Sequence, residues 1–124
     1  MKKILIVDDQ KEVRELVKVT LRVGDYEIFT AENGEQAVDV ARQEKPDLVI
    51  MDVMMPGAYD GFEAARIIKN SPESREAIVI MLTARGQQTD IDRGREVGAD
   101  DYFVKPFSPL DLIQKVDEVL DNEE

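Results

Sequence analysis

Two stretches of this chain run the length of a strand without one polar residue. Leu48-Val49-Ile50-Met51 passes straight into Asp52, and Ala77-Ile78-Val79-Ile80-Met81-Leu82 passes into Thr83. A strand with one wet face alternates apolar and polar side chains, whereas a strand covered on both faces does not. Runs of this kind demand a layer above and a layer below, and in an α/β chain those layers are helices. Pro56-Gly57 closes the first run as a loop signal, so Asp52 stands at the carboxyl end of a buried strand. Alone, such an aspartate is ordinarily a cap or a turn residue. Its meaning depends on what the other strand ends bring.

The rest of the chain supplies the layers. Lys3 to Val7 is a short apolar strand ended by Asp8-Asp9, and Lys11 to about Arg22 has Val13, Leu16, Val17, Thr20 and Leu21 at helical spacing. Gly24-Asp25 stops that helix, and Tyr26 to Ala31 makes a second strand. Asn33-Gly34 turns into a helix from Glu35 to about Gln43, with Ala37, Val38 and Ala41 inward. Lys45-Pro46-Asp47 precedes the Leu48–Asp52 strand. A helix over Gly61–Asn70 follows, with Phe62, Ala65 and Ile68 on one side, and Ser71-Pro72 ends it. Thr89 to Val97 predicts only a weak helix, because Ile91 and Val97 are its sole large apolar residues and Gly94 interrupts it. Asp101 to Val104 is the last strand. Ser108-Pro109 opens a final helix through Leu120, with Leu112, Ile113, Val116 and Leu120 inward. The alternation is (βα)₅: a doubly wound, five-stranded parallel sheet in the flavodoxin-like order 2-1-3-4-5.

Composition narrows the chemistry. The 124 residues are 43% hydrophobic and 35% charged, ordinary for one globular domain with a core. No apolar run nears the roughly 18 residues of a membrane span. Only Ile4 to Val7 is apolar before Asp8-Asp9, too little for a secretory signal, so the cytoplasm is the expected location. Cysteine and histidine are both absent, which excludes disulfides, thiolate or imidazole metal sites and His-based catalysis. Sixteen basic residues against 27 acidic ones leave a net charge of −11, unfavourable for direct contact with nucleic acid or an anionic membrane. Hard oxygen ligands for Mg²⁺ or Ca²⁺ are plentiful.

In a parallel sheet of this order the first and third strands are neighbours, and ligands bind at the crevice between their carboxyl ends. The strand ends place Asp8-Asp9, Asp52, Thr83 and Lys105-Pro106 along one edge. Crowded carboxylates repel one another, which favours a divalent cation among them. A carboxylate is also a nucleophile toward phosphorus and gives an aspartyl phosphate. The cation, a lysine ammonium and a threonine hydroxyl then take up charge on the phosphoryl oxygens. Singly, Asp8-Asp9 caps a helix, Thr83 satisfies a local backbone group and Lys105 is a solvated charge. Their gathering on one edge needs more than that.

These residues and their flanks resemble the receiver domain of two-component response regulators, over essentially the whole chain. The resemblance rests on Ile4-Leu5-Ile6-Val7-Asp8-Asp9, Asp52-Val53-Met54-Met55-Pro56-Gly57, Leu82-Thr83-Ala84, and Gly98-Ala99-Asp100-Asp101-Tyr102 leading to Lys105-Pro106-Phe107. It implies a single receiver domain over 1–124 that acts as a phosphorylation-dependent switch. Asp52 would accept a phosphoryl group from a sensor histidine kinase, a phosphotransfer protein or a small acyl phosphate. Mg²⁺, or Mn²⁺ in its place, would be held by Asp8, Asp9, Asp52 and the Met54 backbone carbonyl. Lys105 would pair with the acyl phosphate, and its bond to Pro106 would be cis. Thr83 and Tyr102 would move together, changing the surface of the fourth helix, fifth strand and fifth helix. Phosphoryl gain and loss would be self-catalysed, so no turnover enzyme is implied. The implied partners are a downstream target or effector domain, with a phosphorylation-driven homodimer as one output. Asp100-Asp101, Asp111 and Lys115 resemble the charged dimer face of receivers attached to winged-helix transcription factors.

The chain departs from the pattern in one loop. Receivers carry three residues between the loop proline and the glycine that opens the third helix, and here Gly57, Ala58, Tyr59 and Asp60 make four. Met54 precedes the extra residue, so its carbonyl is expected to keep its place. Tyr59 is expected to project into solvent. Met54 and Arg85 would influence phosphate lifetime from the site mouth. Asp121-Asn122-Glu123-Glu124 suits the acidic end of a stand-alone receiver, although a piece of a longer protein would look the same. Three other readings compete. A flavodoxin-like nucleotide or FMN module needs phosphate-cradling donors where Asp8-Asp9-Gln10 would repel phosphate. An aspartate-nucleophile phosphatase needs an acid where Met54 stands. A receiver-shaped scaffold that is never phosphorylated has no use for the complete residue set.

Overall fold

The computed structural model describes residues 1–55, 57–84 and 88–121, with residue 121 described by its backbone alone. Pro56, Arg85 and Asn122-Glu123-Glu124 lie outside the described residues. The elements are β1 (Lys2–Val7), α1 (Lys11–Leu21), β2 (Tyr26–Ala31), α2 (Gly34–Glu44), β3 (Leu48–Asp52), α3 (Gly61–Asn70), β4 (Ile78–Ala84), α4 (Gln88–Glu96), β5 (Asp101–Lys105) and α5 (Pro109–Asp121). All strand pairs are parallel and the sheet order is β2-β1-β3-β4-β5, as the alternation predicts.

The two apolar runs form the middle of the sheet. β3 is buried along its whole length, and β4 from Val79 to Thr83. In register, Ile50 lies between Ile6 of β1 and Ile80 of β4. Alternate side chains then feed two separate cores. Leu5, Val7, Val49, Met51, Val79 and Met81 pack with Ala37, Ala41, Phe62 and Ile68 of α2 and α3. Ile4, Ile6, Leu48, Ile50, Ile80 and Leu82 pack with Val17 and Leu21 of α1 and Leu112, Val116 and Leu120 of α5. Each large side chain so buried contributes about 1.5–3 kcal/mol. β4 continues past the apolar run because the ladder does: Thr83 pairs with Val104 and Ala84 with Lys105.

The helices differ in how firmly they sit. Asn33 Oδ1 caps α2 by accepting from Gln36 N at 2.8 Å, and Asp60 Oδ1 caps α3 by accepting from Glu63 N at 2.9 Å. α1 has a wider apolar arc than the sheet covers, so Leu16 remains 47% exposed despite its helical spacing. α4 buries only Gly94. Its tie to α3 is Arg93, whose guanidinium lies 4.5 Å from the centre of the Phe62 ring and 3.5 Å from Asp60 Oδ2.

The lengthened loop docks on α2, which corrects the solvent position expected for Tyr59. Ala58 N donates to Glu35 Oε1 at 2.9 Å. Tyr59 is half-buried against the α2–α3 core. Gly34 makes the room: a Cβ there would lie 2.8 Å from both the Cβ and the carbonyl oxygen of Tyr59. Where the loop enters α3, Gly61 N donates to Val53 O at 3.2 Å, and a Cβ on Gly61 would sit 2.0 Å from the Asp52 carbonyl oxygen.

Candidate functional site

The carboxyl ends of β1, β3, β4 and β5 converge as a parallel sheet requires. Asp8 is fully buried at the end of β1, and Asp9 beside it is exposed. Asp52 is buried at the end of β3. One oxygen from each of Asp8, Asp9 and Asp52 lies within 4.8 Å of the others. Lys105 Nζ, at the end of β5, is 3.0 Å from Asp8 Oδ2 and 3.5 Å from Asp52 Oδ1. The Lys105–Pro106 bond is cis. Asp9, Asp52 and Lys105 open into a cleft of about 450 Å³ that Thr83, Met54 and Asp90 also line.

Burial is the first electrostatic fact about Asp52. It pushes the carboxyl up from 3.8 to about 6, and the like charge of Asp8 pushes the same way. Lys105 and the Met54 amide, which donates to Asp52 Oδ1 at 3.4 Å, oppose the rise. The ammonium lies nearer Asp8 than Asp52, so Asp52 keeps much of its desolvation penalty. A cation entering among the three carboxylates would relieve it, and an all-oxygen donor set suits Mg²⁺. The residues therefore fit such an ion.

Thr83 is buried at the end of β4, and its Oγ1 has no hydrogen-bond partner among the described residues. A buried hydroxyl left so is costly unless a ligand completes it. Tyr102 lies outside the cleft. It is 38% exposed on β5 and borders a hollow of about 110 Å³ under α4, together with Met81, Ile91 and Gly94. The Met54 side chain is 76% exposed at the cleft mouth.

The charged residues just before β5, on β5 and on α5 prove partly engaged within the chain. Asp100 Oδ2 accepts from Lys69 Nζ at 3.0 Å and from Val79 N at 2.8 Å. Lys115 Nζ donates to Asp101 Oδ2 at 3.0 Å. Spacing gives no sign of two further contacts at the acid pair. Gln10 N donates to Asp8 Oδ1 at 2.9 Å, and Arg14 Nη1 donates to the Asp8 carbonyl oxygen at 2.8 Å. An arginine on the second turn of α1 reads in sequence as a surface charge.

Comparison with known proteins places the chain in a family. Residues 4–117 match the model of the response regulator receiver domain. The chain is 45% identical to the phosphate regulon transcriptional regulatory protein PhoB of Pseudomonas aeruginosa, over 96% of its own length and 52% of PhoB. It thus spans about half the length of that relative. The chemotaxis response regulator CheY4 of Vibrio cholerae superposes with a TM-score of 0.89 at 34% identity, covering 96% of this chain and 98% of CheY4. The receiver domain of the sensor histidine kinase PA1611 of P. aeruginosa, solved with a magnesium ion coordinated in its active site cleft, gives 0.85 at 30% identity, covering 94% and 95%. Among the described residues no helix is long and apolar enough to cross a membrane. The chain belongs to the receiver domain family of two-component response regulators.

Proposed function

We propose that Asp52 accepts a phosphoryl group from a sensor histidine kinase, a phosphotransfer protein or a small acyl phosphate, and that residues 1–124 act as one cytoplasmic receiver domain. An Asp52 carboxylate oxygen attacks phosphorus. The new O–P bond forms as the P–N bond of a phosphohistidine, or the P–O bond of an acyl phosphate, breaks, and the leaving group departs with the electron pair. Asp8, Asp9, Asp52 and the Met54 carbonyl would hold Mg²⁺, or Mn²⁺ in its place, which supplies positive charge to the phosphoryl oxygens. Lys105 Nζ, 3.5 Å from the nucleophile, stands within reach of the same oxygens. Thr83 brings a hydroxyl whose donor is unspent among the described residues.

Bonding of Thr83 to the phosphate biases the neighbouring surface, and the hollow under α4 offers the Tyr102 ring somewhere to go. The altered α4–β5–α5 surface then controls a downstream target, an attached effector domain or a homodimer. Turnover stays limited to the protein's own phosphoryl gain and loss. The observation that carries this reading is the buried Asp52 with an ammonium beside it and two further carboxylates within 4.8 Å. Incubation with radiolabelled acetyl phosphate tests it. Label should appear only with Mg²⁺ and intact Asp52, and base should remove it. Equal labelling of Asp52→Asn would sink the assignment. Light scattering with and without beryllofluoride distinguishes a monomeric adaptor from a phosphorylation-driven dimer.

A further inference from the structure

We infer that Arg14 is a positioning residue for the metal-binding acid pair, an inference that rests on the site reading above. Asp8 is held at every polar atom. Its N donates to Ala31 O at 3.2 Å, Oδ1 accepts from Gln10 N at 2.9 Å, and Oδ2 accepts from Lys105 Nζ at 3.0 Å. Those three contacts fix Asp8 itself. The fourth, Arg14 Nη1 to the Asp8 carbonyl oxygen at 2.8 Å, does something else. That oxygen lies in the rigid plane of the peptide joining Asp8 to Asp9. Holding it sets the plane, and with it the direction in which the exposed Asp9 carboxylate leaves the main chain.

Arg14 suits the task. Its side chain is only 13% exposed, and its other arm reaches Glu32 Oε1 at 3.4 Å, so the guanidinium is steadied from the β2–α2 loop. A planar guanidinium loses little freedom in holding two acceptors at once. Outer partners of this kind orient ligands they do not touch.

Charge and position make opposite predictions here. If Arg14 acted only as a cation near three carboxylates, its removal would tighten Mg²⁺ binding. If it positions Asp9, removal loosens binding. Mg²⁺ titrations of the ¹⁵N-labelled full chain, followed by amide chemical shifts, report affinity and fold together. Arg14→Ala and Arg14→Gln, whose amide ends short of the Asp8 carbonyl, should each bind about tenfold more weakly. Arg14→Lys should recover part of the loss, and Glu32→Ala, which frees only the steadying arm, should weaken binding by about twofold at most. If Arg14→Ala fails to fold, Arg14→Gln decides. Parental or tighter Mg²⁺ binding by the folded Ala or Gln variant overturns the inference. Absence of Mg²⁺-dependent shifts in the parent would instead overturn the reading of the site on which it rests.

Discussion

Asp8 and Thr83 hold comparable places, each at or just past the end of a buried strand, and the fold treats them in opposite ways. Asp8 has hydrogen bonds at its N, its carbonyl and both carboxylate oxygens. Thr83 Oγ1 has none among the described residues. The contrast extends to the surroundings. Behind β1 and β3 lie α1, α2 and α3, all with several buried side chains, whereas α4 buries only Gly94 and Tyr102 on β5 stands 38% exposed. On the proposed function fixed charges would serve the phosphoryl transfer, because groups already in position need no reorganisation as phosphorus moves. Loosely held elements would serve the proposed output, because a small differential interaction shifts their populations.

The largest effect is expected on the fastened side. Lys105→Ala leaves Asp8 and Asp52 repelling each other with no ammonium between them, and acetyl phosphate labelling should slow about 100-fold. A labelling rate within twofold of the parent would show that Lys105 only pairs with Asp8.

Asp52→Asn should next reveal what burial costs. The folded carboxyl titrates at about 6 against an ordinary 3.8, so the folded state holds that proton more tightly. Its stabilising contribution is fully present below about pH 4 and is lost as pH rises through about 6. Thermal melts of metal-free protein should therefore show Asp52→Asn more stable by about 1–3 kcal/mol at pH 7, with the gain fading toward pH 4. A gain independent of pH would contradict this origin.

On the loose side the effects shrink. Thr83→Val removes, at nearly constant shape, a hydroxyl that has no partner among the described residues, and metal-free protein should become about 1 kcal/mol more stable. The surface change driven by beryllofluoride, read from amide shifts of α4, should be lost at the same time. Destabilisation instead would mean that the hydroxyl is paired in solution. Smallest is Arg93→Ala, which removes an exposed cation–π contact and an exposed ion pair worth about 0.5–1 kcal/mol together. Hydrogen exchange should speed up about threefold in α4 and stay unchanged in α1.

The same contrast explains what the sequence could convey. β3 and β4 are legible because burial on both faces erases polar alternation, and their ends bring Asp52 and Thr83 to the edge where Asp8 and Lys105 must also arrive. That information is local, and topology does the rest. Tyr59 is illegible because its resting place depends on Gly34 and Glu35, far away in the chain and meaningful only once α2 and α3 are side by side. Arg14 is hidden for a related reason: its partner is a backbone carbonyl, which has no sequence signature. Leu16 shows the limit of periodicity, which marks an apolar arc without saying how much of it the sheet will cover.

The bare α-carbon of Gly61 has a practical consequence. It lies so close to the end of β3 that one added methyl would press on the Asp52 carbonyl oxygen from 2.0 Å. Upstream, Met55 is buried. Both ends of the loop are thus anchored, while Ala58 between them is exposed. The chain contains no cysteine, so Ala58→Cys would give a unique thiol for a fluorophore on the loop between Met55 and Gly61. A dye there tests whether the stretch that has accommodated an extra residue moves when the protein is phosphorylated.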